Sequence, residues 1–311
     1  MSGQNGSDSE LRGTRPLRAY AALVRLPNLF TSPPDVVLGA ALAVSLGYSV
    51  SIGSVVGLSV ASVLLYAAGT TLNDYVDVSE DERERPERPI PSGDVSRPSA
   101  LAFGVTLLFG GVVVALFSAG LVAGVVAAVL AALILLYDAV FKGSAVGFLF
   151  MGATRGTNVL LGVAVAVSPT ALPTWSLIIP AVITLYIASV TYMADYETSE
   201  GNSTPVLVAI GGVAVAVAGV VVTVFLRSPA PSEAVVAAVL LVGFVAWTGR
   251  ALRQAYLDPV PGTVGPAVGA CVLGLVALTA SFAAVGGVGW SLAAVAFLVP
   301  AVGLSRLFDV S

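Results

Sequence analysis

From about residue 36 onward the sequence is a succession of apolar runs, each near twenty residues long, parted by short polar connections. A bilayer's hydrocarbon core is crossed by about 20 apolar residues of helix, and repeated runs of that length mark membrane spans. Only 10% of the side chains are charged, where a water-soluble domain carries about 25%. The runs mix Val, Ala, Leu and Gly along their whole length, without the ten-residue alternation of a barrel strand. The expected fold is therefore all-α, an integral membrane bundle of nine or ten transmembrane helices. Ten runs can be drawn: 35–50, 52–73, 99–118, 121–140, 146–167, 175–195, 205–226, 233–247, 264–285 and 290–307. The first is short and is expected to begin nearer Ala19, kinked by Pro27 and by Pro33–Pro34. Its uncertain neighbours at the count's other end are the last two or three, where a count of nine would lose one.

The first 16 residues, MSGQNGSDSELRGTRP, are polar. The first apolar stretch lies too far in to serve as a signal-peptide core. Residues 1–16 are expected to be a disordered cytoplasmic tail, and 17–311 a single transmembrane domain. Charge gathers on alternate connections: Arg12, Arg15, Arg18 and Arg25, then Arg83, Arg85, Arg88 and Arg97, then Lys142, Asp195 to Glu200, Arg250 and Arg253. The connections between carry little beyond Arg227 and Glu233. The positive-inside rule places the charged face in the cytoplasm of a multi-pass cell-membrane protein. Membrane lipids are its surroundings, and no nucleic-acid partner is expected.

The chain has no histidine and a single cysteine, Cys271, within an apolar run. An intrachain disulfide and a thiolate metal cluster are excluded. Any metal must be a hard ion held by oxygen, and any catalysis must rest on Asp, Glu, Tyr, Arg or Lys.

Against that background LNDYVDVSEDERERPERPIPSG, residues 72–93, is conspicuous, with seven carboxylates interleaved with Arg83, Arg85 and Arg88. On a helix, Asp74, Asp77 and Asp81 fall at i, i+3 and i+7 and share one face, flanked by Asn73. Like charges so placed repel unless a cation binds. Mg²⁺ uses one or two carboxylates and completes its shell with water and substrate phosphates. One reading is thus a diphosphate clamp at the membrane surface, with arginines as bidentate phosphate donors. The other is a solvated helix end whose arginines neutralise their neighbours. The repeated prolines stop the helix in either case.

The string Asn73-Asp74-x-x-Asp77-x-x-x-Asp81, followed by Arg85-Pro86-Glu87-Arg88-Pro89-Ile90-Pro91-Ser92-Gly93, resembles the first aspartate-rich motif of the UbiA superfamily of membrane prenyltransferases. The many-helix layout is similar to the family's over nearly the whole chain. The resemblance implies a helical fold, usually of nine spans, that moves a polyprenyl group from its diphosphate to an acceptor with Mg²⁺. It also implies metal ligands at Asn73, Asp74, Asp77 and Asp81. Tyr137-x-x-x-x-Lys142 is similar to the family's Tyr…Lys segment, so Lys142 is a candidate for phosphate and Tyr137 for the reacting carbon. A snorkelling lysine and an interfacial tyrosine give the same pattern. The second acidic motif departs from the family. After Asp195 the chain reads Tyr196-Glu197-Thr198-Ser199-Glu200, so Ser199 stands where a second aspartate is usual. Asp195, Glu197 and Glu200 are the remaining candidates for a second ion, although Asp195 and Glu200, five residues apart, splay by roughly 140° on a regular helix.

Arg155 and Asn158 lie inside an apolar run. A charge at that depth turns toward a partner or a wet cavity. Pairing with Asp138 or Asp35 is one reading, and a polar cavity wall that binds diphosphate or the acceptor's acidic group is the other. This segment and the altered second motif are similar to a less characterised, Ebo-cluster-like branch of the superfamily. The implied function is Mg²⁺-dependent transfer from a polyprenyl diphosphate to a lipid-soluble aromatic or glycerol-phosphate acceptor. Asp77, Asp81, Asp195 and Tyr137 are the catalytic candidates, and Arg88, Lys142, Arg155 and Asn158 the substrate-binding ones. Two alternatives stand beside it. A catalytically silent relative would bind a prenyl lipid or scaffold other enzymes, and a transporter would show an internal repeat, of which the sequence has no trace.

Overall fold

The computed structural model describes residues 17–198 and 200–305. The expected N-terminal tail, 1–16, and the end of the last expected span, 306–307, lie outside the described residues. Among the described residues every regular element is a helix, and nine helices are long and apolar enough to cross a membrane. Fourteen α-helical pieces make up the bundle. They are α1 (residues 17–23), α2 (Leu26–Leu29), α3 (Pro33–Ser45), α4 (Ile52–Val76), α5 (Val78–Glu84), α6 (Arg97–Ala119) and α7 (Leu121–Leu136). After these come α8 (Ala145–Val163), α9 (Ile178–Asp195), α10 (Thr204–Arg227), α11 (Pro231–Leu257), α12 (Pro261–Ala283), α13 (Val288–Val295) and α14 (Leu298–Ser305).

The nine are not the nine that trimming the C-terminal end of the ten would leave. The C-terminal runs all persist, as Pro231–Leu257, Pro261–Gly286 and Val288–Ser305. The run that falls short is the first, because it is broken into α1, α2 and α3. Proline explains the break, by starting helices rather than kinking one. Pro27 occupies the first turn of α2 and Pro33 opens α3, where the missing N–H costs no helical bond. Between α1 and α2, Arg25 adopts a left-handed backbone (φ 50, ψ 57).

The α3 piece is buried on every side from Pro33 to Ala43. A helix apolar all round belongs in a core, and α3 packs against α4, α8, α12 and α13. Around it α8 pairs with α9, α9 with α10, α11 with α12, and α4 with α6. Glycine sets the closest approaches. A methyl at Gly152 would collide with Thr184 O on α9, and one at Gly39 with Val159 O on α8. The exposed apolar side chains, among them Phe109, Phe117, Phe225 and Val239, suit the lipid that a bundle of this hydropathy must meet.

Two further boundaries differ from expectation. Helix α11 runs ten residues past Trp247 to Leu257, because Ala251, Leu252, Gln254 and Ala255 are good helix formers although the segment is polar. The last span is interrupted at 296–297, just ahead of Pro300. A bulky side chain at Gly152 tests the α8–α9 contact. Gly152→Val is expected to cost about 1–3 kcal/mol through overpacking, read as a lowered thermal midpoint in detergent. Gly243→Ala, where an added methyl meets nothing within 4 Å, is expected to be neutral or slightly stabilising.

Candidate functional site

A cavity of about 320 Å³ lies between α4, α7, α8, α9 and α12. Each wall is one helical face. From α4 come Ser62, Tyr66, Gly69 and Asn73; from α8, Met151, Thr154, Arg155 and Asn158; from α9, Ile187, Val190, Thr191 and Ala194. These are the i, i+3/i+4, i+7 spacings that put side chains in line. Leu65, Leu130, Ile134, Val268, Val272 and Leu275 make most of the remaining wall apolar.

At the mouth α7 ends in a π-helical turn, Tyr137–Phe141, closed by Lys142 N donating to Tyr137 O at 2.9 Å. The wider i→i+5 turn brings residues five apart closer together round the axis, and Tyr137, Asp138 and Lys142 all reach the cavity. The Tyr-x-x-x-x-Lys spacing gave the residues; it did not reveal the turn that lets them act together.

The acidic stretch is divided between partners. Helix α4 stops at Val76 and α5 starts at Val78, with Asp77 at the junction (φ −82, ψ 2). Of the single acidic face expected for Asp74, Asp77 and Asp81, Asp74 and Asp81 stay together and Asp77 departs. Asp74 and Asp81 share Arg88, whose Nη1 lies 3.3 Å from Asp74 Oδ1 and 2.9 Å from both oxygens of Asp81. Arg25 Nη2 also donates to Asp74 Oδ1 at 3.0 Å. Asp77 turns instead to Lys142. Asn73 Nδ2 donates to Asp138 Oδ1 at 2.9 Å. Asp74 and Asp81 are buried, which a solvated helix end would not be. The loop that carries Arg88 is anchored by Ile90 and Val95, buried against Ala19, Leu23 and Val78.

The second acidic segment approaches the first through Arg85, whose Nη2 stands 2.7 Å from Glu197 Oε1. Asp195, the last residue of α9, follows cavity-lining Ala194 and is exposed; Glu200 is exposed. Tyr192 lies off the cavity, packed between Phe148 and Tyr196.

Deep in the cavity, Arg155 forms a pair with Asp35, Nε to Oδ2 at 3.2 Å, and not with Asp138. It also donates from Nη2 to Thr31 O, while Asn158 Nδ2 donates to Ser32 O (2.9 Å) and Asp35 Oδ2 (3.1 Å). Tyr66 stands beside the guanidinium, 5.8 Å from ring centroid to Cζ. Arg155 is thus both paired and part of the cavity wall. Sequence reasoning passed over Tyr66 and Arg25 as site residues. For Arg25 the signal was its place directly before the Pro27 break, which fixes it near the end of α4. Tyr66 lies seven residues before Asn73, two turns along the same helical face.

The donors at the mouth are all oxygen atoms, which suits a hard divalent ion. Among the described residues no three acidic side chains converge as a ready-made metal cage. The basic side chains already hold the carboxylates, so the donor set fits an ion that comes with phosphate oxygens rather than one bound by protein alone.

A model of the UbiA prenyltransferase family matches residues 36–260. A digeranylgeranylglyceryl phosphate synthase of Methanoregula boonei is 37% identical over 161 residues, 47% of this chain and 54% of the relative. One of Haloquadratum walsbyi is 32% identical over 158 residues, 50% and 54%. The chain spans about half the length of the curated relatives it matches. An apo UbiA homolog from Aeropyrum pernix K1 superposes with a TM-score of 0.67 at 18% identity, over 81% of this chain and 96% of that one. A likeness at that identity speaks to fold.

The two arginine pairs at the mouth predict opposite sensitivities. Arg88→Ala removes the partner shared by two buried carboxylates, and breaking a buried pair costs about 3–5 kcal/mol. Arg85 and Glu197 are about a third exposed (34% and 28%), so Arg85→Ala is expected to cost about 0–1 kcal/mol. Thermal midpoints of both variants in detergent check the difference.

Proposed function

Because the chain belongs to the UbiA prenyltransferase family, we propose that it transfers a polyprenyl group from its diphosphate to a lipid-soluble acceptor within the membrane. The observation that carries this reading is a cavity with ionic partners at its mouth and a largely apolar wall behind them. That arrangement suits a substrate with a charged diphosphate at one end and a hydrocarbon chain at the other. The relatives named digeranylgeranylglyceryl phosphate synthase favour a glycerol-phosphate lipid over an aromatic ring as the acceptor's class.

In this reading the diphosphate displaces Lys142 from Asp77 and draws on Arg88 and Arg25, each a phosphate donor already at the mouth. The C–O bond between the prenyl C1 and the diphosphate breaks, the acceptor bonds to C1, and a mouth carboxylate or water takes the acceptor's proton. Tyr137, on the wall beside Asp138, offers a ring to the electron-poor carbon. Asn73, Asp74, Asp77 and Asp81 would hold Mg²⁺, with Asp195 and Glu200 for a second ion. Bound there, Mg²⁺ neutralises the diphosphate and makes it a better leaving group. The surrounding helices keep water from the reactive carbon.

Diphosphate release from geranylgeranyl diphosphate, with a panel of glycerol-phosphate and aromatic acceptors, tests the proposal. Release is expected to need Mg²⁺, to stop with chelator, and to fall at least about tenfold in Asp77→Asn, the loss of roughly 1.4 kcal/mol of transition-state stabilisation. Release that ignores both chelator and Asp77→Asn would sink the metal-clamp reading.

The arginine bias further supports a mouth on the cytoplasmic side. Cys271 is buried, so an introduced thiol can be followed against a silent background. In oriented vesicles, Glu87→Cys is expected to react with a membrane-impermeant reagent from the cytoplasmic face and Ala230→Cys from the opposite one.

A further inference from the structure

Gly69 sits inside α4, on the face that lines the cavity, between Tyr66 and Asn73. A glycine within a helix costs about 1 kcal/mol relative to alanine, so its surroundings should supply a reason for it. Close packing is the reason at several glycines of the bundle. At Gly39, Gly152, Gly162 and Gly286 an added methyl would strike a backbone carbonyl oxygen. Gly69 is different. The atoms nearest to a methyl there all belong to one side chain, Ile134 on α7, the closest at 3.4 Å, an ordinary van der Waals contact. The fold therefore does not require glycine at this position. Gly211 and Gly243 also have open space around them, but they are exposed on α10 and α11 and line no part of the cavity. At Gly69 the open space is the cavity.

Ile134 is a cavity residue as well, so Gly69 and Ile134 adjoin where the walls of α4 and α7 meet. One turn nearer the mouth stand Asn73 on α4 and Tyr137 and Asp138 at the end of α7; one turn deeper stand Tyr66 and Leu130. Gly69 lies about 6 Å along α4 from Asn73, at roughly 1.5 Å per residue. This is the level at which the polar mouth gives way to apolar wall, and a diphosphate held at the mouth would begin its hydrocarbon chain here. A prenyl chain is broad, because each isoprene unit carries a methyl branch on a planar double bond. An unbranched alkyl chain needs less width. At this level the additional width is what a missing Cβ supplies.

We propose that Gly69 is a specificity-determining residue for the prenyl donor: beside Ile134, its missing side chain leaves the room that the branched chain needs next to the diphosphate. This inference rests on the prenyltransferase reading. It assigns to the substrate a glycine that α4 itself would be better off without.

Gly69→Ala is the discriminating variant, because a methyl fits the fold and encroaches only on the cavity. Its thermal midpoint in detergent is expected to be no lower than that of wild type. Binding is measured calorimetrically with Mg²⁺ and three probes. Inorganic diphosphate needs the mouth alone, geranylgeranyl thiolodiphosphate has a carbon–sulfur link that resists cleavage, and hexadecyl diphosphate is an unbranched chain of the same length. Gly69→Ala is expected to bind inorganic diphosphate as wild type does and the prenyl probe about tenfold more weakly, the worth of a one-carbon misfit in an apolar pocket. The hexadecyl probe is expected to lose less, since specificity is a difference of affinities. Gly243→Ala, the same substitution away from the cavity, is expected to bind all three as wild type does. Undiminished prenyl binding by Gly69→Ala, an equal loss of the hexadecyl or the inorganic probe, or a lowered thermal midpoint overturns the assignment. Failure of wild type to bind the prenyl probe would count instead against the transferase reading itself.

Discussion

A bilayer offers no water to a broken helix, so every carbonyl freed by the break must find a protein donor. The first membrane segment is broken at α2–α3, and that constraint organises much of the bundle. Pro33 and Pro34 bring no N–H, and Asp35 N donates to Ser32 O at 3.2 Å, three residues back. Arg155 and Asn158, from the middle of α8, supply donors to Thr31 O and Ser32 O. Asp35, in the first turn of α3, balances the guanidinium. A charged side chain inside a membrane helix is costly unless it meets such needs. Here it ties α8 to α3, the most buried helix in the protein, and the same contact builds the inner wall of the cavity.

At the other end of the cavity, charge is balanced locally. Asp74, Asp77 and Asp81 are held by Arg25, Arg88 and Lys142, which come from the helix break, the proline-rich loop and the π-helical turn. The substrate-free mouth is thereby a set of ion pairs rather than a concentration of repelling carboxylates. In the function proposed above, an incoming metal-diphosphate would exchange one set of partners for another, acids to the metal and bases to phosphate. A site of this kind needs no preformed ion cage, and the π-helical turn suits it because one short segment presents Tyr137, Asp138 and Lys142 together.

Much of this was legible in one dimension. The apolar runs fixed helices and their approximate limits, since a span must be both long and apolar to cross. The acidic string and Lys142 pointed to the mouth, and the depth of Arg155 pointed to a buried partner that proved to be Asp35. Less legible were the effects of neighbours. Asp74 and Asp77 were expected on one face, yet they part company because α4 ends at Val76, with Asp77 at the junction, and their basic partners sit on different elements. Helix α11 outruns its apolar stretch because helix propensity continues where hydropathy ends. The first run, and none of the last three, fell short of a span because its prolines begin helices.

The amino-acid sequence by itself determined the environment and the inventory: a membrane, helices, oxygen ligands only, and bases close to acids. Hydropathy and side-chain chemistry are local properties, so they can be read residue by residue. Only the tertiary structure decided which base holds which acid, that Glu197 and Arg85 join two distant acidic segments, and that Ser62, Arg155 and Asn158 face one cavity. Those are relations between helices far apart in the chain. They depend on distances of a few ångströms set by packing around α3, which no spacing within a single helix encodes.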